Sequence, residues 1–530
     1  MEAISRLRRD ILLERERKGV QGTSKVAFKD GSLLAFLYGA GLVIINMVLV
    51  LWVHSASSSY DGWGRRDGIM RSIGALSITV CAVFGTRVLL RMLSPTILAR
   101  NSRICLLTVL SLLSVGITAC LRYTAEVYLG EHFKAAVSFL YPYALTPALA
   151  TLLLRRRRAG VAVGIGTSML MGMYETSRDN SPLIVFFLGI LTAMALPYLL
   201  THVRRRLQLF RVMMFSSLLL MVGIYIFMAI NPDRVNLDEF FTGHLSLSIV
   251  GLQLGACIAG GVMYTVLILV MLPLLERIFG VCSDISLNGF ADLGSPLLER
   301  LATEAPGTYA HSLATATIAT AAAERVDASA LLVRVGCFYH DIGKLGAPPL
   351  FIENTTPERN PHNTLSPSTS ATWVRSHIKD GVVFARKAGL PPAILDILRE
   401  HHGTTLMVPF LHKAREIAKA DEAKQPQRAQ RVIIDESQFR YEGPCPSTKE
   451  AAIVMLADSV EAASRSLSNV TSGTLEHLVQ NIIETKLKDG QLDDAPLSMM
   501  ELTEIKKSFV SSLGTILHAR MRYPKEEQKE

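Results

Sequence analysis

Six of the thirteen histidines fall between positions 311 and 402: His311, His340, His362, His377, His401 and His402. Neutral imidazole supplies a nitrogen ligand, and together with carboxylate and water it suits iron, manganese or zinc better than calcium. Taken one at a time, histidines are more often surface or satisfied core residues than ligands. A His-Asp dipeptide says equally little, since chance supplies on the order of one in a chain of this length. The surroundings say more. The run His340-Asp341-Ile342-Gly343-Lys344 closes an apolar stretch, and Gly343 is expected to let the backbone turn away, so that His340 and Asp341 face one pocket. There a carboxylate with two oxygens can bridge two cations while imidazoles fill the other corners. Lys344 is a point charge that either approaches a phosphate or stays solvated. His362, inside Asn360-Pro361-His362-Asn363, reads as structural, and Arg334 as one half of an ion pair with a neighbouring acid.

The elements that must position these residues begin near 283, where amphipathic helical patterns replace long apolar runs. Ser295-Pro296 has the form of an N-cap followed by proline at the first helical position. Pro306-Gly307 breaks the chain before a helix rich in Ala and Thr near 308–324. Asp327 is expected to cap the next helix, near 328–342, where Leu331, Leu332, Val335 and Phe338 recur at burial spacing. Alternating strand patterns are absent. A segment rich in Gln, Pro and charge, 422–446, reads as a loop or flap, and helices resume near 447–468, 474–489 and 498–522. The predicted class is all-α.

The first 280 residues read differently. Of the 530 residues 49% are hydrophobic and only 19% charged, below the roughly 25% usual in soluble domains, and the deficit is concentrated here. Eight apolar segments lie near 33–53, 73–93, 104–121, 135–154, 159–175, 182–201, 208–230 and 248–275. Most reach the roughly 20 residues that cross a bilayer; the fifth is marginal. Loops expected on the inner side carry Arg91, Arg100 and Arg103, then Arg155 to Arg158, then Arg204, Arg205, Arg206 and Arg211. Outer loops carry Glu126, Glu131, Asp179, Asp233, Asp238 and Glu239, as positive-inside sorting requires. The first outer loop, with Arg65, Arg66 and Arg71, runs against the rule. Even parity puts the N-terminus and everything after about 276 in the cytoplasm. The net charge of +9 is then a topology signal and not a nucleic-acid footprint. The seven cysteines include no CxxC pair, so neither a disulfide framework nor a thiolate zinc site is expected. The basic N-terminus lacks the form of a cleavable signal peptide. Spans poor in charge give little support to a transporter or proton relay.

In the order H…HD…H…H…D, His311, His340-Asp341, His377, His401 and Asp458 resemble the HD-superfamily phosphohydrolases. Narrower features are Ala305-Pro306-Gly307-Thr308-Tyr309, the run Leu332-Val333-Arg334-Val335-Gly336-Cys337-Phe338-Tyr339, and His401-His402-Gly403-Thr404-Thr405. Phe439-Arg440-Tyr441 with Gly443-Pro444 joins them. These resemble the membrane-bound cyclic-di-AMP phosphodiesterases of the seven-transmembrane receptor HD-hydrolase family, strongly over 283–470 and in architecture alone over the spans. The resemblance implies two divalent ions, manganese or iron. His311, His340, Asp341 and Asp458 would hold the first, and Asp341 would bridge to a second held by His377 and His401. His402 is left between metal ligation, a phosphate contact and a supporting place behind the ligands. Catalytic roles fall to Asp341, His340 and Lys344. Two cations about 3.5–4 Å apart lower the pKa of a shared water and neutralise the phosphate. No dedicated side-chain base is visible, so a bridging hydroxide is the expected nucleophile, and the first cut of cyclic-di-AMP would release a linear dinucleotide.

Related HD enzymes act on cyclic-di-GMP, alarmones, deoxynucleotides or RNA. The cyclic-di-GMP class carries a downstream Gly-Tyr-Pro where this chain has Gly403-Thr404-Thr405, and the Gly-x-x-Gly clamp of an RNA-binding KH module is absent. A non-catalytic nucleotide-binding membrane receptor is the rival from another class, and ligand types intact at all six positions oppose it. Family members usually carry a large extracellular domain between the first two spans; here only about 54–72 joins them. The expected organisation is a basic cytoplasmic N-terminus (1–32), an eight-span domain (33–275), a linker helix (276–300), an HD domain (301–522) and a charged tail (523–530). The expected setting is a bacterial inner membrane, with a cyclic dinucleotide and the lipid bilayer as partners and no stable nucleic-acid partner. Regulation would enter through the spans or by homo-oligomerisation.

Overall fold

The computed structural model describes residues 32–55, 66–98, 101–129, 137–174, 182–230, 247–356, 358, 360–424, 434–467 and 470–518. The basic N-terminal stretch, the loop 56–65 with Arg65, part of the flap (425–433) and the charged tail lie outside them. The described residues are helical without a β-strand; a single isolated bridge joins Leu406 and Arg440. They form two compact units, one ending at Ser286 and the other beginning at Leu287.

The first unit contains α1 (Ser32–Ser55), α2 (Arg66–Leu93), the short α3 (Pro95–Leu98) and α4 (Asn101–Tyr128). They are followed by α5 (Leu145–Leu154), α6 (Arg157–Gly172), α7 (Pro182–Leu199), α8 (Arg206–Ile230) and α9 (Leu247–Phe279). Among the described residues, six stretches are long and apolar enough to cross a membrane: Phe36–Val53, Ser72–Leu93, Asn101–Tyr128, Val137–Leu154, Arg206–Gly223 and Leu254–Phe279. Leu183–Leu199 is a shorter apolar helix. The chain is a multi-pass membrane protein. Large apolar side chains such as Ile44, Val48, Phe84, Phe187, Phe215 and Val270 are exposed along these helices, as lipid-facing surfaces require.

The fifth apolar segment owes its marginal hydropathy to its position. Helix α6 has 16 residues, about 24 Å of rise and short of the roughly 30 Å hydrocarbon core. It packs against α2, α4, α5 and α7 and, like α5, buries most of its residues, so it meets protein where helices such as α2 and α8 meet lipid. Small residues permit this: a Cβ on Gly164 would lie 2.7 Å from that of Ala193 on α7. Helix α4 also runs beyond the expected end of its span at 121. It takes in Arg122 and Glu126, buried and paired at 2.5 Å one turn apart, so the helix continues without an isolated charge. Arg155, in the basic turn between α5 and α6, pairs with Asp284 at 2.8 Å, so that turn and the residues after α9 share one end of the bundle.

The region expected as one linker helix contains the end of α9, a break at Gly280 (φ 65°), α10 (Asp284–Phe290) and α11 (Pro296–Glu304). Ser295 is the N-cap residue of α11, and its hydroxyl shares a 3.1 Å hydrogen bond with Tyr339 Oη. The second unit continues with α12 (Pro306–Arg325), α13 (Ala330–Tyr339), α14 (Pro367–Lys387) and α15 (Pro392–Glu400). Then come α16 (Val408–Lys424), α17 (Lys449–Ser464), α18 (Ser472–Lys488) and α19 (Met499–His518). Pro306 opens α12 at its first turn, where a missing N–H costs nothing. The expected cap of α13 is corrected. Ser329, and not Asp327, accepts from the Leu332 N–H, while Asp327 takes a left-handed φ of 51° that ends the preceding turn. Helix α12 packs on α13, α17 and α19, and α15 lies across α13 and α17, so the His/Asp-bearing ends converge.

Candidate metal centre

Five elements deliver the side chains. His311 comes from the second turn of α12, and His340 and Asp341 follow the last turn of α13. His377 lies mid-way along α14, His401 and His402 follow α15, and Asp458 lies on α17. Gly343 works otherwise than expected. It leads into a 3-10 turn, Ile342–Gly346, pressed on α14, and a Cβ there would overlap the His377 carbonyl and the Gly381 nitrogen. Close approach, and not freedom to turn, is what the position needs.

Two groups of possible ligand atoms result, each lying within 4.8 Å of one another: His311, His340, Asp341 and Asp458, and Asp341, His377, His401 and His402. Asp341 belongs to both, with one oxygen for each. Its Oδ2 is 3.2 Å from His340 Nε2 and 3.6 Å from His311 Nε2. Its Oδ1 is 3.5 Å from His377 Nε2 and 3.7 Å from His401 Nε2. His311 Nε2 is also 3.0 Å from Asp458 Oδ1, and His377 Nε2 is 3.4 Å from His401 Nε2. His402, whose place was open, joins the second group, with Nδ1 3.6 Å from Asp458 Oδ2.

The far nitrogens fix the rings. His340, His377 and His401 each place Nδ1 at the carbonyl three residues earlier, on Cys337, Val374 and Leu398, at 2.8, 2.5 and 2.8 Å. A carbonyl accepts only from an N–H, so the Nε2 lone pairs point into the centre. His311 Nδ1 meets Glu461 Oε2 at 2.5 Å, a carboxylate behind an imidazole. Among the described residues, the buried atoms His340 Nε2 and Asp341 Oδ1 have no hydrogen-bond partner. Buried lone pairs without a proton to meet fit a cation, and the nitrogen–oxygen donor set suits a divalent transition ion.

The electrostatics divide along the same line. Burial alone would raise Asp341 and Asp458. His340 and Lys344 hold Asp341, and His311 and His340 hold Asp458, well below the usual carboxylate range. Burial pulls His340 down, but Asp341 and Asp458 outweigh it and push it up to about 10. His311 is likewise raised by Asp458 and Glu461 against its burial. Burial pushes His377 down to about 4, and burial with His401 takes His402 well below the ordinary value. The first group therefore concentrates negative charge where positive charge is favoured, and in the second, His377 and His402 stay neutral and ready to ligate.

Residues 308–463 match the HD domain model, and residues 69–283 match the model described as 7TM receptor with intracellular HD hydrolase. The chain belongs to this membrane HD-hydrolase family. Among relatives of this family member, the cyclic-di-AMP phosphodiesterase PgpH of Listeria monocytogenes is 32% identical over 79% of the chain and 54% of its own length. PgpH of Bacillus subtilis is 36% identical over 74% of the chain and 52% of its own length. The chain thus spans about half the length of the curated relatives it matches. A crystal structure of the L. monocytogenes PgpH HD domain is 40% identical, with a TM-score of 0.39, covering 42% of this chain and 100% of that one.

Within the HD domain the other expected residues take separate places. Lys344 lies between two carboxylates, 2.8 Å from Asp341 Oδ2 and 2.6 Å from Glu353 Oε1. His362 is outside both groups; its Nε2 meets the Leu350 carbonyl at 2.8 Å, which is a structural bond. Arg334 is exposed and lies over the Phe338 ring at 5.6 Å, where an ion pair with an acid was expected. Sequence reasoning missed Glu461, Glu353 and the stacking of Tyr441 on His402 at 4.2 Å. Glu461 stands three residues after Asp458, one turn on the same helix, and that spacing was an available signal. Glu353 sits in an irregular turn with no periodic pattern to announce it.

Proposed function

We propose that this chain is a membrane-anchored, metal-dependent phosphodiesterase that opens cyclic-di-AMP to a linear dinucleotide. The single observation that carries the reading is Asp341, buried, with each of its oxygens facing a different set of imidazoles. That arrangement suits two cations sharing one carboxylate, with His311, His340 and Asp458 on one side and His377, His401 and His402 on the other. When bound, the ions would neutralise a phosphodiester and make water acidic enough to attack it at neutral pH. The chain's own residues do the rest. The backbone carbonyls behind His340, His377 and His401 and the Glu461 carboxylate behind His311 hold those four rings on target. Lys344, fixed between Asp341 and Glu353, offsets part of the negative charge beside the shared carboxylate and holds that carboxylate in place. The substrate class follows from the two relatives named cyclic-di-AMP phosphodiesterases, each aligned over most of this chain. Manganese or iron is proposed as the resident metal on the family resemblance, and the imidazole and carboxylate donors suit either of them as they would zinc. The pairing of Arg155 with Asp284, together with the basic loops, supports a cytoplasmic HD unit on eight helical segments, in a bacterial inner membrane.

The test is a substrate panel. Full-length protein in detergent, loaded with manganese, is offered cyclic-di-AMP, cyclic-di-GMP, a guanosine alarmone and RNA. The expected outcome is preferential conversion of cyclic-di-AMP to the linear dinucleotide. Preference for another member of the panel would reassign the substrate, and no hydrolysis of any of them would sink the activity.

A further inference from the structure

Helix α18 brings one more cation to the centre. Lys486 lies in its last turn with only 7% of its surface exposed, a burial rare for lysine. Its Nζ donates to Thr405 Oγ1 at 2.8 Å. Among the described residues no carboxylate pairs with it, whereas Lys344 is held by Asp341 and Glu353 and Arg465 by Glu461. Thr405 follows the turn that starts at His401 and His402, and its carbonyl accepts from the Tyr441 N–H at 3.1 Å. The Tyr441 ring in turn stacks on His402. Lys486, Thr405, Tyr441 and His402 are thus joined contact by contact into one wall that ends at the metal ligands. Burial lowers the lysine's pKa while Asp458, and after it Asp489 and Cys445, pull it back, so the ammonium lies within the field of a proposed metal ligand without being hydrogen-bonded to a carboxylate. A buried ammonium with a hydroxyl as its one described partner keeps donors to spare and is costly until an anion meets it.

We propose that Lys486 forms the subsite for the second phosphate of the dinucleotide, the diester that is not being cleaved. The inference rests on the phosphodiesterase reading above. A cyclic dinucleotide carries two phosphodiester anions in one ring. The metal ligands address one of them, and the other would be stripped of water without compensation unless a fixed cation received it. Lys344 and the more exposed Arg465 are already committed to carboxylates, and among the described residues of this unit Lys486 is a buried cation that is not. The subsite reads phosphate and not base, so it would serve any ligand whose two phosphates are spaced as in a dinucleotide.

The experiment measures KM, kcat and bound metal for cyclic-di-AMP hydrolysis by the full-length, manganese-loaded protein. Lys486→Met removes the charge and keeps an unbranched chain that a buried position accepts; Lys486→Gln is measured beside it in case methionine disturbs packing. Both should raise KM roughly ten- to a hundredfold, about 1.4–2.8 kcal/mol of lost binding, with kcat and metal content little changed. Lys486→Arg, which keeps the charge, should recover part of that loss. An unmoved KM in both neutral variants overturns the subsite. So does a joint fall in metal content and kcat at constant KM, which would make the lysine a packing element. If the wild type leaves cyclic-di-AMP intact, the phosphodiesterase reading itself fails and the subsite falls with it.

Discussion

Asp341 is the residue whose loss the centre can least absorb, because both ligand groups are built on its two oxygens. Asp341→Ala should lower metal content and turnover together. The fall in kcat should exceed about a hundredfold, the upper end of what losing a residue behind a ligand costs. Wild-type turnover in that variant would refute the assignment. Glu400, immediately before His401, allows a prediction on stability. Burial raises its carboxyl from 4.5 to about 7, although the Ser447 N–H and hydroxyl both donate to it. Between those values the folded chain keeps a proton that the unfolded chain has released. Stability is therefore full below the lower value and is lost as pH rises through the upper one, by roughly 3 kcal/mol in all. Glu400→Gln removes the ionisation. Its thermal midpoint should gain on the wild type between about pH 5 and about pH 8. An identical difference at both values would show that Glu400 does not titrate in this window.

At the scale of elements, the centre depends on how closely the turn Ile342–Gly346 lies on α14. Gly343→Ala puts a methyl group into the backbone of α14, at the His377 carbonyl, and backbone cannot rotate aside as a side chain can. Overpacking of this kind costs about 1–3 kcal/mol, and here it should displace His377 from Asp341. The expected result is a lower thermal midpoint with less bound metal, read by calorimetry and elemental analysis. A variant matching the wild type in both would mean that the turn can lift away without consequence. Helix α17 is organised by the same logic. Asp458 and Glu461, one turn apart, reach His311 from its two sides, so a single helix supplies a proposed ligand and the carboxylate that orients another.

At the scale of the molecule, the second unit begins at Leu287 and includes every proposed metal ligand. A unit with its own core folds alone as a rule. A fragment from Leu287 onward should therefore bind metal and turn over the same substrate as the full chain, measured side by side in one assay. A well-folded, metal-loaded but inactive fragment would show that the membrane helices contribute to catalysis directly.

Sequence by itself determined the all-α class, the multi-pass membrane part and the residue types of the centre. Each of these is a local property: apolar runs, charge alternation between loops, and histidines and aspartates in recognisable neighbourhoods. Even there the marginal α6 could not be explained, because its hydropathy is set by the helices that surround it. Tertiary structure alone decided which oxygen of Asp341 faces which imidazoles, placed His402 with the second group, and set Glu461, Glu353 and Lys486 around it. His311 and Glu461 are 150 positions apart. Contacts between such distant residues are fixed by the packing of α12 on α17, and no spacing along the chain encodes them.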